Sequence, residues 1–183
     1  MGRREMTLDM FGLRAPDSWL ATVGLASAGV AVMFLYTPLA DRIATRMFDK
    51  PPTLELFRAI QQSRAKLIAG IAIAWLLGGF LEELIFRGIV LQSVRSAFAT
   101  SVGEGLAVAM AVCGAALGAG ALHWYQGARA VAIITQLSVL LGTLFVLSGY
   151  NLWTVILCHG FYDTIAFVRF ANKTSKYSVQ PHS

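Results

Sequence analysis

Long stretches without a charged residue limit what this chain can become. Ser18 to Ala40 runs for 23 residues between Asp17 and Asp41. Gly105 to Ala128 runs for 24, and Ala130 to Tyr162 for 33. Another apolar run, Leu67 to Leu81, is interrupted by Glu82, Glu83 and Arg87 and resumes through Leu91. A helix rises 1.5 Å per residue, so about 20 residues cross a hydrocarbon core about 30 Å thick. The 183 residues are 56% hydrophobic and 14% charged, whereas soluble domains carry about 25% charged residues. A water-soluble domain is disfavoured on that ground, and so is a disordered chain, which needs low hydrophobicity and high charge.

The spans follow from the gaps between charges. The first is Ser18 to Ala40, with Trp19 and Tyr36 near its ends as interface anchors. The second covers 67–91 and the third lies between Glu104 and Arg129. The 33-residue stretch is too long for one span. Ser148-Gly149-Tyr150-Asn151 is a turn signal that splits it into 130–147 and 152–170. The expected fold is all-α: a polytopic transmembrane bundle of about five spanning helices, organised as one domain over 1–183. Residues 41–66 hold six Lys and Arg around a Pro51-Pro52 break. Within them, Leu56, Phe57 and Ile60 suggest an interfacial amphipathic helix over Thr53–Lys66, with a polar loop as the alternative. The tail, 171–183, is polar.

Charge placement sets the expected orientation. If 41–66 is cytoplasmic, that side holds ten of the 15 Lys and Arg, including Arg129, Arg169, Lys173 and Lys176. The other side holds Arg3, Arg4, Arg14, Arg87 and Arg95. A multi-pass protein of the cell membrane is expected, N-terminus outside and C-terminus inside. The net charge of +5 is spread between apolar blocks, which suits anionic head groups and not nucleic acid. The first 17 residues do not read as a signal peptide. Cys113 and Cys158 read as small core residues. No internal repeat argues for an inverted-repeat transporter.

The informative residues are the polar ones inside apolar runs, because each acidic or basic group there costs roughly 2.5–3.5 kcal/mol. Glu83 and Arg87 stand at i, i+4 in the favourable order and are expected to pair. Glu82 lies about 100° around the helix with no local cation, which suits a general base or acid. His123 falls in the third span. His159 and Asp163, again i, i+4, fall in the fifth, where a carboxylate can fix an imidazole's tautomer. Taken singly, the glutamates and His123 are also explained by helix-to-helix bonding, and His159 with Asp163 by a helix-stabilising pair that is costly in mid-membrane without a function. Together, on three apolar helices, they suggest one water-containing cavity.

At these residues the chain resembles the CAAX prenyl protease and bacteriocin-processing family, the CPBP or Abi intramembrane proteases. The EExxxR motif stands as Glu82-Glu83-Leu84-Ile85-Phe86-Arg87, followed by Gly88. The second motif is an aromatic residue four before a histidine; the histidine is His123, but Ala119 takes the aromatic position. The third, HxxxN or HxxxD, runs from His159 to Asp163. The resemblance covers about 67–170. It implies a helical membrane endopeptidase in which Glu82 activates a water that attacks the scissile carbonyl, with His123 assisting. His159 and Asp163 would hold the oxyanion or the water, and Glu83 with Arg87 would be structural. An ionised Asp163 donates no hydrogen bond, so it is also assigned the orientation of His159. Substrates implied are membrane-associated proteins or peptides: prenylated tails, peptide precursors or C-terminal sorting segments.

The favoured mechanism is metal-free. Zinc held by Glu82, His123 and His159 is the alternative, although no HExxH pair holds both histidines on one helix. A non-catalytic bacteriocin-immunity or binding protein is the second functional class. A proton-coupled carrier is the third. A Cys158–His159 thiol protease is weaker, since adjacent helical residues point about 100° apart.

Overall fold

The computed structural model describes residues 8–175. They form five long helices: α1 (Trp19–Met47), α2 (Arg64–Val102), α3 (Glu104–Leu122), α4 (Ala128–Leu147) and α5 (Leu152–Ser175). Among the described residues there is no strand. The first four helices are long and apolar enough to cross a membrane. α5 carries His159, Asp163 and Arg169 among its apolar residues and is not in that set. Arg3, Arg4, Lys176 and the tail beyond 175, all used in the orientation count, lie outside the described residues.

Local chemistry sets the helix ends. The Ser18 hydroxyl accepts from Ala21 N at 3.3 Å at the start of α1, and Ser63 does the same for Lys66 N at 3.2 Å at the start of α2. Gly103 and Gly127, with φ of 85° and 97°, reverse the chain before α3 and α4 in a conformation that favours glycine. The turn expected at 148–151 separates α4 from α5. The 53–66 segment differs from expectation in length. Its helical part is a short 3₁₀ stretch, Glu55–Gln61, that buries Ile60 and leaves Leu56 exposed. Ser63 then starts α2 within the same segment, which leaves this separate helix at seven residues.

α2 and α4 both pack on α3, and α1 packs on α4 and α5. In lipid, close backbone approach drives such packing, and small residues allow it. Ala107, Ala111, Ala115 and Ala119 form a buried i, i+4 stripe on α3. A Cβ on Gly120 would lie 3.0 Å from Val131 O of α4, and one on Gly118 would lie 3.1 Å from the Phe86 ring. Gly114 faces open space and takes no part in this packing. At the opposite end of the bundle from 41–66, the Gly12 carbonyl accepts from Leu152 N at 2.8 Å. Gln92 donates to Met10 O at 3.0 Å, which ties the N-terminal segment to α2.

Candidate active site

α2 does not keep the α-helical winding that its sequence suggests. Trp75–Glu82 and Leu84–Leu91 follow the wider π pattern of i→i+5 hydrogen bonds. π-turns are rare and cluster at functional sites. The EExxxR motif sits across the junction of these two stretches. No composition signal distinguishes such a stretch from an α-helix, because the same apolar residues serve both.

Glu83 and Arg87 form the expected pair, with Arg87 Nη1 3.1 Å from Glu83 Oε1 and side-chain exposures of 2% and 0%. Arg87 also donates through Nη2 to the Ser138 carbonyl at 2.9 Å and to Ser138 Oγ at 2.6 Å. The pair thereby ties α2 to α4. A buried ion pair needs such extra bonds to offset its desolvation. Ser138 was not singled out by the sequence; a lone serine in an apolar run gives no signal that it meets an arginine 51 positions away.

Glu83 has a second partner. Its Oε1 lies 2.6 Å from His159 Nδ1. Asp163 Oδ2 lies 3.5 Å from the other ring nitrogen, Nε2. The closer carboxylate on His159 is therefore Glu83, with Asp163 at the ring's other nitrogen. The π-wound segment carries Glu83 to face both Arg87 and α5, a placement that a local pairing rule does not foresee.

His123 does not lie inside a continuous span. α3 ends at Leu122, and His123 terminates it with φ −92° and ψ 16°. A 3₁₀ turn, Trp124–Gln126, follows. His123 Nδ1 is 3.0 Å from the Ala119 carbonyl, which can only accept. Nδ1 is thus the donor to this carbonyl, and in the neutral tautomer that allows this bond Nε2 is the acceptor. Ala119 itself is buried beside the cavity, where an aromatic side chain would occupy space.

Glu82, His123, His159 and Asp163 all line one cavity of about 780 Å³. That volume is within the range of small-molecule and peptide-side-chain sites, about 300–1,000 Å³. Glu82 is half-buried and makes no hydrogen bond or ion pair with the described residues. The remaining wall is largely apolar and includes Phe57, Ile73, Leu77 and Phe167. Two glycines, unremarked in the sequence, shape the polar end. A Cβ on Gly78 would lie 3.2 Å from Asp163 Oδ2 and 3.4 Å from His159 Nε2. A Cβ on Gly160 would lie 2.6 Å from the Trp75 ring. α2 and α5 meet closely because both positions lack a side chain.

The donors do not fit a zinc centre. Among the described residues, no three His, Cys, Asp or Glu side chains are grouped so that they could hold a metal ion. The alternative set Glu82, His123 and His159 shares the cavity without converging on one point, and His159 Nδ1 is already engaged by Glu83. The Cys158 thiol is buried and lies 3.7 Å from Met33 Sδ, a packing contact.

A family model described as type II CAAX prenyl endopeptidase Rce1-like matches residues 64–165, more than half of the chain. The chain belongs to the Rce1-like family. The matched run starts at the first residue of α2 and ends just after Asp163, so all six motif residues fall inside it. The Rce1-like family is one of CAAX-type membrane proteases, and the spans described above agree with a membrane protein. Neither the curated proteins nor the solved structures gave a match.

Proposed function

We propose that this Rce1-like protein is an intramembrane endopeptidase that uses Glu82 to activate a water against a peptide bond. The observation that carries this is the single cavity lined by Glu82, His123, His159 and Asp163 from three different helices. Among the described residues, none makes a hydrogen bond or ion pair that competes for the Glu82 carboxylate. It takes a proton from the water as the water oxygen attacks the scissile carbonyl carbon. His123 Nε2 accepts from the same water and aligns it. The carbonyl oxygen becomes an oxyanion in the tetrahedral intermediate. His159 lies between Glu83 and Asp163; with protons on both ring nitrogens it satisfies both carboxylates, and the Nε2 proton is the one the oxyanion shares. Collapse of the intermediate breaks the C–N bond, and Glu82 returns its proton to the leaving amine.

Glu83 and Arg87 hold this geometry and do not touch the substrate. The apolar wall suits a substrate attached to the membrane, such as a prenylated tail, a peptide precursor or a sorting segment. The proposed setting is the cell membrane, with 41–66 on the cytoplasmic side. The test is cleavage of a farnesylated C-terminal peptide and of candidate membrane precursors by the purified protein in proteoliposomes. Glu82→Ala and His159→Ala are each expected to lower turnover by about 10²–10⁴-fold, as loss of a general base or a charge stabiliser does. Cleavage that survives both substitutions overturns the assignment. A cellular phenotype that survives Glu82→Gln points instead to a binding or immunity protein.

A further inference from the structure

A second groove lies on the outside of the bundle and shares no lining residue with the cavity of Glu82. α1 supplies Ile43 and Met47, α4 supplies Ala128, Ala132 and Thr135, and Trp124 stands at its end. The groove encloses about 770 Å³ and is almost wholly apolar. From Ala128 to Thr135 it follows α4 for about 10 Å. Trp124 is 77% exposed, near the helix ends where indole rings settle at a membrane interface.

Charge distinguishes this groove from an ordinary lipid-facing surface. Ile43 and Met47 are i, i+4 on α1, and Arg42 and Arg46 hold the same spacing on the adjoining ridge. Both arginines are exposed, and neither makes a hydrogen bond or ion pair with the described residues. Of the acids next to them in sequence, Asp41 is already engaged by Arg129, whose Nη2 lies 2.7 Å away, and the exposed Asp49 makes no ion pair with the described residues. Two exposed cations, each next in sequence to a residue that lines the groove, thus make no ion pair among the described residues.

We infer that this groove binds one anionic glycerophospholipid, with an acyl chain along α4 and the phosphate at Arg42 and Arg46. A zwitterionic lipid fills the groove equally well but offers the arginines no net charge. A cation near a membrane surface adds about a fivefold preference for anionic lipid, so the pair adds about thirtyfold.

The test is native mass spectrometry of the delipidated full chain in non-ionic detergent, titrated with dioleoyl phosphatidylglycerol or dioleoyl phosphatidylcholine. The wild type is expected to hold one phosphatidylglycerol about thirtyfold more tightly than phosphatidylcholine. Arg42→Gln with Arg46→Gln removes the preference while leaving helical content unchanged, because both side chains are exposed. Ala132→Trp fills the groove and weakens both lipids. Equal affinity of the wild type for the two lipids overturns the inference. So does a double arginine variant that keeps the preference, or an Ala132→Trp protein that binds both lipids as before.

Discussion

His159 Nδ1 and Glu83 Oε1 are 2.6 Å apart, and the same carboxylate oxygen meets Arg87 Nη1 at 3.1 Å. One acidic residue on α2 thereby controls both a helix-to-helix tie and the orientation of the imidazole that faces the cavity. Removing it leaves Arg87 buried without its counter-charge. Glu83→Ala is expected to destabilise the protein by about 3–5 kcal/mol, the usual effect of breaking one side of a buried pair. Unfolding in mixed micelles measures this. A change under about 1 kcal/mol would show that Arg87 finds its support elsewhere.

Ser138 offers a graded version of the same test. Its Oγ accepts from Arg87 at 2.6 Å, while its carbonyl keeps a separate bond at 2.9 Å. Ser138→Ala removes only the first. The expected loss is about 1.5–3 kcal/mol, typical of a hydrogen bond to a charged group, with cleavage retained. Paired unfolding and turnover assays check both halves of that statement.

Gly78 and Gly79 are adjacent yet should respond differently. A Cβ on Gly78 would crowd Asp163 and His159 at 3.2 and 3.4 Å, whereas one on Gly79 would meet nothing closer than 3.4 Å on the α5 backbone. Gly78→Ala is expected to lower turnover at least tenfold with little loss of stability, because the added methyl displaces the reacting groups. Gly79→Ala serves as the control. Comparable activity in the two variants contradicts the proposed placement of the oxyanion.

Gly160→Ala places a methyl 2.6 Å from the Trp75 ring at the crossing of α2 and α5. Overpacking of this kind costs typically about 1–3 kcal/mol. The melting temperature should fall, and Trp75→Leu in the same chain should restore part of it. Failure of that rescue would mean the strain is relieved by another route.

Metal dependence separates the favoured chemistry from its alternative. Cleavage by protein stripped with a strong zinc chelator is expected to equal that of the untreated enzyme, because Glu82, His123 and His159 do not converge as a ligand set. Activity that falls on stripping and returns with one equivalent of zinc overturns this.

Much of this protein was legible along the chain. Uncharged runs of 23 and 24 residues announced the first and third helices, and Ser148-Gly149-Tyr150-Asn151 marked the break that starts α5. The motif residues Glu82, His123, His159 and Asp163 were legible because charged and imidazole groups are costly in lipid and stand out against leucine, valine and alanine. Helical spacing also foretold the Glu83–Arg87 pair. Other features left no mark. The π winding from Trp75 to Leu91 uses the same apolar residues as an α-helix. Ser138, Gly78 and Gly160 gain their roles only from what faces them across a helix contact.

Sequence by itself determined that the chain enters a membrane as helices, and which few residues are too polar to be there without partners. That follows from local quantities: hydrophobicity summed over a span, and the cost of each charge. Tertiary structure alone decided that Glu83 serves both Arg87 and His159, that Glu82 lines the cavity without an ion pair among the described residues, and that His123 closes a helix at the cavity edge. Those outcomes depend on how helices distant in sequence cross, which is set by many small packing contacts that no single position encodes.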